Sequence, residues 1–116
     1  MNELFGVEAE RRDDGMGIVR LTGEVDMYTA PQLKQAMLGL IDDGAAKVVI
    51  DLGGVTFIDS TALGVLIGGV RRLRAAGGAM ALVVTTRPVD RVLSITGLDH
   101  VFTIHETLED AVAALA

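Results

Sequence analysis

The sequence contains no cysteine and no tryptophan, and it has one tyrosine and three phenylalanines among its 116 residues. Without cysteine the chain cannot form a disulfide, a thiolate metal site or a cysteine nucleophile. Basic residues are also scarce: 10 lysines and arginines stand against 16 aspartates and glutamates, which gives a formal net charge of −6 at pH 7. Because contacts to nucleic-acid phosphates need clustered basic residues, this balance argues against a nucleic-acid partner.

Long hydrophobic runs are missing as well. Uninterrupted apolar stretches are short, such as the nine residues from Ala62 to Val70 that include three glycines, whereas a membrane-spanning helix needs about 20. The N-terminal ten residues carry three glutamates and no basic segment before an apolar stretch, unlike a secretory signal. We therefore expect a cytoplasmic protein with no membrane partner, and a reducing compartment agrees with the lack of cysteine.

The composition is otherwise that of a folded domain. Hydrophobic residues make up 50% of the chain and charged residues 22%, which separates it from disordered acidic segments. The length fits one domain of ordinary size and leaves no room for a second full core. We expect one domain that spans residues 1–116.

The first quarter of the sequence predicts a β-hairpin. Residues 4–10 and 16–21 have strand-like patterns on either side of the turn signal Asp13-Asp14-Gly15. The segment from Gly23 to Asp26 breaks this pattern, and we expect the second strand to end before it.

Helices and strands alternate after the hairpin. Thr29 suits the N-cap of a first helix, with Pro31 in its first turn, and Asp42-Asp43-Gly44 ends that helix. The same patterns predict further helices at about residues 62–74, 88–95 and 108–115, and strands at about residues 48–52, 79–84 and 101–104. The order β-β-α-β-α-β-α-β-α predicts an α/β fold with about four helices and a mixed, mostly parallel sheet opened by the hairpin.

Three residues of helix-capping type, Asp59, Ser60 and Thr61, stand in a row before the second helix. If these residues served only to cap the helix, they would need no other role. Only one of them can occupy the cap position, however, so the other two call for a further explanation.

The second helix is also rich in glycine. Gly64, Gly68 and Gly69 each cost about 1 kcal/mol relative to alanine in a helix interior. If the apolar stripe of this helix faces the sheet, a small-sided face remains, formed by Thr61, Gly64, Val65, Gly68 and Arg72. Such a face would let a partner's backbone approach, with Ser60 at its rim. The glycines would equally let the helix pack closely on its own sheet, and spacing leaves both interpretations open.

Three motifs resemble those of one known family. Residues 57–66 read Phe57-Ile58-Asp59-Ser60-Thr61-Ala62-Leu63-Gly64-Val65-Leu66 and resemble the signature of STAS-domain anti-sigma-factor antagonists. Residues 21–26 with Thr29-Ala30-Pro31 resemble a second motif, and residues 95–98 with Val101-Phe102 a third. The motifs keep the family's order and spacing from about residue 4 to residue 114. Ala62 departs from the glycine that is usual at its position.

This resemblance implies a partner-switching protein without a cofactor of its own. The unphosphorylated antagonist would bind an anti-sigma factor, itself a serine kinase that holds ATP or ADP, and so free a sigma factor. The kinase would phosphorylate Ser60 and break the complex, and a serine phosphatase would restore it. The resemblance gives Asp26 a supporting role in phosphorylation and binding. When residues of the small-sided face are added, the expected partner-binding residues are Asp26, Asp59, Thr61, Gly64, Val65 and Gly68.

An enzymatic function has little support in the sequence. Ser60 with His105 as a base would make a nucleophile pair, but no Gly-x-Ser-x-Gly elbow surrounds Ser60. His100 and His105 stand five residues apart, which is not the spacing of a metal pair on a helix. We expect both histidines at the surface or on an edge strand, and no metal site.

The alternatives to an antagonist are other binding roles of STAS domains. Such domains also serve as stressosome scaffold subunits, as small subunits of lipid-transport complexes and as cytoplasmic tails of anion transporters. The lack of a membrane segment argues against the last role. The segment Asp59-Ser60-Thr61 together with residues 22–26 favours the antagonist over the scaffold and lipid-transport roles.

Overall fold

Strands and helices alternate after an opening hairpin in the computed structural model, which describes residues 5–116. The strands are β1 (Gly6–Arg11), β2 (Gly17–Val25), β3 (Lys47–Ile58), β4 (Ala79–Val83) and β5 (Thr103–His105). The helices are α1 (Ala30–Asp42), α2 (Ser60–Ala75), α3 (Arg87–Ile95) and α4 (Leu108–Leu115), with a 3₁₀ turn at Leu98–His100. The predicted order of elements is confirmed.

The strands form one sheet in the order β1-β2-β3-β4-β5. The β1–β2 pair is antiparallel, and the other three pairs are parallel. The predicted mixed, mostly parallel sheet opened by a hairpin is therefore confirmed. Since β2 and β3 run parallel and pair as far as Val25 and Ile58, the loops that follow them emerge side by side.

The helices cover both faces of the sheet. Alternate residues along β3 point to opposite faces, so that Ile50 belongs to the larger apolar core and Val49 to the smaller one. Helices α1, α2 and α3 contribute to the larger core, and α4 packs on the smaller one through Ala111 and Leu115. The apolar run in β3 is buried on both faces, as its sequence predicted.

Three strand boundaries differ from the prediction. The strand predicted at about residues 48–52 continues to Ile58, because β3 stays paired with β2 up to that residue. The segment from Gly23 to Asp26 does not break the second strand, because β2 continues to Val25. Gly23 has φ +84° and the pairing register with β3 shifts between Gly23 and Glu24, so the glycine introduces an irregularity within the strand. The strand predicted at about residues 101–104 begins later, at Thr103, because a 3₁₀ turn occupies Leu98–His100.

Residue 4, the predicted start of the first strand, lies outside the described residues, and β1 begins at Gly6. Within residues 5–116 no helix is long and apolar enough to cross a membrane.

Candidate functional site

The candidate site lies at the N-terminus of α2, where the ends of β2 and β3 meet. The Asp59 amide donates a hydrogen bond to the carbonyl oxygen of Val25 (3.1 Å). This contact joins the loop after β2, residues 26–29, to the residue that precedes α2. Two segments that are far apart in the sequence are thus neighbours here.

Asp59 is the N-cap of α2, with extended backbone angles (φ −108°, ψ 179°). Its Oδ1 accepts a hydrogen bond from the Ala62 amide (3.0 Å), as an N-cap carboxylate does. Its Oδ2 accepts a second hydrogen bond, from the amide of Met27 (3.0 Å). One carboxylate therefore caps the helix and holds the neighbouring loop.

Ser60 and Thr61 form the beginning of α2, and both are exposed. With Asp59 in the cap position, neither is needed for that role. The Ser60 side chain is open to solvent at a helix end where backbone N–H groups and the helix dipole favour negative charge. A negatively charged group at this position would be in solvent and would face favourable backbone dipoles.

Asp26 organises the turn before α1. Its Oδ1 accepts hydrogen bonds from the amides of Tyr28 (2.9 Å) and Thr29 (3.2 Å). The Thr29 hydroxyl oxygen in turn accepts one from the Asp26 amide (2.9 Å). Thr29 is the residue before α1, as predicted, but its side chain makes this turn contact instead of capping the helix. The half-buried Asp26 carboxylate thus has a local structural role that the sequence did not predict.

Large apolar side chains are exposed around this site. Met27 is 59% exposed, Tyr28 81% and Phe57, near the end of β3, 48%. The sequence reasoning missed them as a surface feature, because it assigned no role to Met27 and Tyr28, which lie between the break predicted at Gly23 to Asp26 and the helix start predicted at Thr29. The only tyrosine of the chain, placed between turn-forming residues, was the available signal.

A shallow groove of about 330 Å³ runs between α1 and α2. Its walls include the predicted small-sided face and parts of α1: Lys34, Met37, Leu38, Thr61, Gly64, Val65, Gly68 and Gly69. Among the described residues, no atom beyond the local helix backbone lies within 4 Å of where a Cβ of Gly64 or Gly68 would stand. A Cβ at Gly69, in contrast, would lie 2.4 Å from the Sδ atom of Met37. Gly69 therefore serves internal packing, whereas Gly64 and Gly68 leave the outer face open.

The remaining candidates lie away from this arrangement. Arg72 pairs with Asp42 at the end of α1, and Arg74 donates to the carbonyl oxygen of Val101. His105 lies on the edge strand β5, and its Nε2 atom is buried with no hydrogen-bond partner among residues 5–116. It therefore makes no hydrogen bond to the Ser60 hydroxyl, as a nucleophile pair would require.

The family assignment follows from comparison with known proteins. A model of the STAS domain matches residues 7–111, nearly the whole chain. The chain belongs to the STAS-domain family. The match includes the hairpin, the loop after β2 and the N-terminus of α2, so the candidate site lies within the family's shared region.

Individual relatives of this chain are named anti-sigma factor antagonists. The anti-sigma-B factor antagonist of Staphylococcus aureus is 29% identical over 91 residues, which are 78% of this chain and 84% of the relative. A crystal structure of an anti-sigma factor antagonist from Mycobacterium paratuberculosis is 33% identical, with a TM-score of 0.88 over 97% of this chain and 94% of the other. These matches agree with the expectation that the STAS chain is not an enzyme.

The fold is also shared with a more distant protein. The Bacillus cell fate determinant SpoIIAA, in its phosphorylated form, is 23% identical with a TM-score of 0.75, and the match covers 96% of this chain and all of that one (100%). At this identity the likeness concerns the fold alone.

Proposed function

We propose that this STAS protein is an anti-sigma-factor antagonist that is switched by phosphorylation of Ser60. Its unphosphorylated form binds an anti-sigma factor that is a serine kinase, and this releases a sigma factor. The observation that carries the proposal is an exposed serine at the start of α2, beside an open small-sided helix face. The names of the Staphylococcus and Mycobacterium relatives support the same function.

The docking face of the proposed complex extends along α2 from Ser60. Thr61, Gly64 and Gly68 are exposed and Val65 is half-buried, so a partner's backbone can approach closely. Within residues 5–116, Gly64 and Gly68 have no neighbour that requires glycine, yet each lowers helix stability by about 1 kcal/mol relative to alanine. Close approach of the partner explains why glycine stands at both positions.

Phosphorylation would weaken this complex without disturbing the fold. A phosphoserine carries a charge of about −1.5 to −2 at neutral pH. On the free protein that charge is solvated and faces a helix N-terminus. In the complex it would be desolvated next to the Asp59 carboxylate, and both effects oppose binding. A hundredfold loss of affinity requires only about 2.7 kcal/mol.

The other partners follow from the switch. The anti-sigma kinase supplies its own ATP, so the antagonist needs no nucleotide site. A serine phosphatase removes the phosphate and returns the protein to its binding form. SpoIIAA has been solved in both an unphosphorylated and a phosphorylated form, which supports a fold that accommodates either state.

Intact-mass measurement tests the proposal directly. The protein is incubated with each anti-sigma factor kinase of its host and Mg-ATP, alongside Ser60→Ala and Thr61→Ala. We expect the wild type and Thr61→Ala to gain one phosphoryl group and Ser60→Ala to gain none. If no kinase modified the wild type, and the protein instead associated stably with a large assembly or a transporter ATPase, the result would support the scaffold or lipid-transport role.

A further inference from the structure

The loop after β2 presents two large side chains to solvent although it is held by several hydrogen bonds. Met27 and Tyr28 are 59% and 81% exposed, so neither contributes much to the apolar core. Their amides are nevertheless fixed by two carboxylates, Met27 by Asp59 and Tyr28 by Asp26. Hydrogen bonds to charged acceptors are among the stronger ones in proteins. The loop therefore holds two large side chains in solvent on a backbone that is already fixed in the free protein.

From this arrangement we infer that Asp59 is a positioning residue. Its hydrogen bond to the Met27 amide, which we call the clip, holds Met27 and Tyr28 at the tip of the loop beside Ser60. The tip and the open face of α2 then dock on the partner as one rigid surface. The inference rests on the proposed function and adds an element to it. Asp59 acts through the Met27 amide, and its carboxylate does not itself need to touch the partner. The partner's matching surface is an apolar pocket that takes the Tyr28 ring and the Met27 side chain.

The physical reason for such a clip is preorganisation. An exposed loop that becomes ordered only on binding lowers affinity, because the partner must compensate for the lost conformational freedom. The second oxygen of the Asp59 carboxylate fixes the loop in advance, at the same residue that caps α2. Aromatic side chains such as Tyr28 contribute large contact areas with few rotatable bonds, which is why they are frequent at the centres of interfaces.

A substitution that separates the two roles of Asp59 tests the clip. Serine is as good an N-cap as aspartate, but its single, shorter side-chain oxygen cannot also reach the Met27 amide. In Asp59→Ser we expect the Ala62 amide to remain protected from hydrogen exchange and the Met27 amide to exchange roughly tenfold faster or more. NMR-detected exchange on the free protein measures both. Unchanged exchange at Met27 would overturn the clip.

Binding measurements test what the clip is for. Against the host anti-sigma factor that binds the wild type, Asp59→Ser and Tyr28→Ala should each lose affinity by about tenfold or more. Urea unfolding of Tyr28→Ala should match the wild type, because this side chain is largely in solvent. Asp90→Ser, which removes an exposed acidic residue from α3, is the charge-matched control and should bind normally.

The outcomes for the clip and for the proposed function can be distinguished. Faster Met27 exchange with unchanged affinity of Tyr28→Ala and Asp59→Ser would refute the docking role of the tip, while the antagonist function would stand. If the wild type bound no anti-sigma factor, the proposed function would fail and the docking role with it. The exchange measurement needs no partner, so it would still decide whether Asp59 holds the loop.

Discussion

Individual glycines of α2 have opposite physical roles although they are close in sequence. Gly69 is buried against Met37 of α1, and a Cβ there would lie 2.4 Å from a sulfur atom. Gly64 faces solvent, and the same addition meets nothing outside its own helix among the described residues. The sequence left internal packing and partner docking open for these positions, and the structure assigns the former to Gly69.

This difference predicts opposite effects of alanine on stability. Gly64→Ala should raise the free energy of unfolding by about 0.5–1 kcal/mol, because alanine is the better helix former. Gly69→Ala should be less stable than Gly64→Ala by about 1–3 kcal/mol, because the buried Met37 side chain must move. Urea denaturation of the two variants beside the wild type measures both values. Equal stabilisation by the two substitutions would contradict the assignment.

The capping residues show what sequence reasoning can resolve at the scale of one residue. Sequence alone marked Asp59, Ser60 and Thr61 as unusual but did not select the cap. The contact from Asp59 to the Met27 amide joins residues 32 positions apart. It depends on β2 and β3 ending together, after shifts in their register. Local patterns carry no information about such a register, so the second role of this carboxylate could not be predicted.

At the scale of elements, the apolar periodicity predicted helices more reliably than strand ends. The stripe predicted on α2 is confirmed at Leu63, Leu66, Val70 and Leu73, which are buried, while its fifth member, Ile67, is half-buried. The strand β2, however, extends through a glycine with φ +84°. Glycine normally suggests the end of a strand, and only pairing with β3 allows the strand to continue. Tertiary pairing therefore overrides the local signal at this point.

The open face of α2 predicts a variant that is more stable but binds less well. The double substitution Gly64→Ala and Gly68→Ala adds two methyl groups to a face that the proposal places against the partner's backbone. We expect the free energy of unfolding to rise by about 1–2 kcal/mol, because alanine is the better helix former. We expect binding to the anti-sigma factor to weaken about tenfold, because the added methyl groups overpack the contact, which costs about 1–3 kcal/mol.

Calorimetric titration and urea unfolding measure the two effects together. Gly39→Ala is the matched control, because Gly39 lies exposed in α1 and also has no close neighbour among the described residues. That variant should gain stability and keep its affinity. If the double variant bound as tightly as the wild type, the result would show that this face of α2 is not part of the docking surface.

At the scale of the whole molecule, the fold separates the proposed switch from the core. The parallel strands β2 and β3 end at the same edge of the sheet and carry the loop of residues 26–29 and the start of α2 to one place. Ser60 is exposed there, while the apolar cores lie between the helices and the sheet. A charge added at Ser60 is therefore not buried in the free protein.

A phosphate mimic at Ser60 should for this reason weaken binding strongly and leave the fold unchanged. We expect Ser60→Glu to unfold in urea within about 1 kcal/mol of the wild type, because negative charge is favourable at a helix N-terminus. Its affinity for the anti-sigma factor should fall about a hundredfold, since the carboxylate would be desolvated beside Asp59 in the complex. Ser94→Glu, at an exposed serine of α3, adds the same charge elsewhere and should bind normally. Equal weakening by both variants would mean that overall charge, and not the position of Ser60, controls the complex.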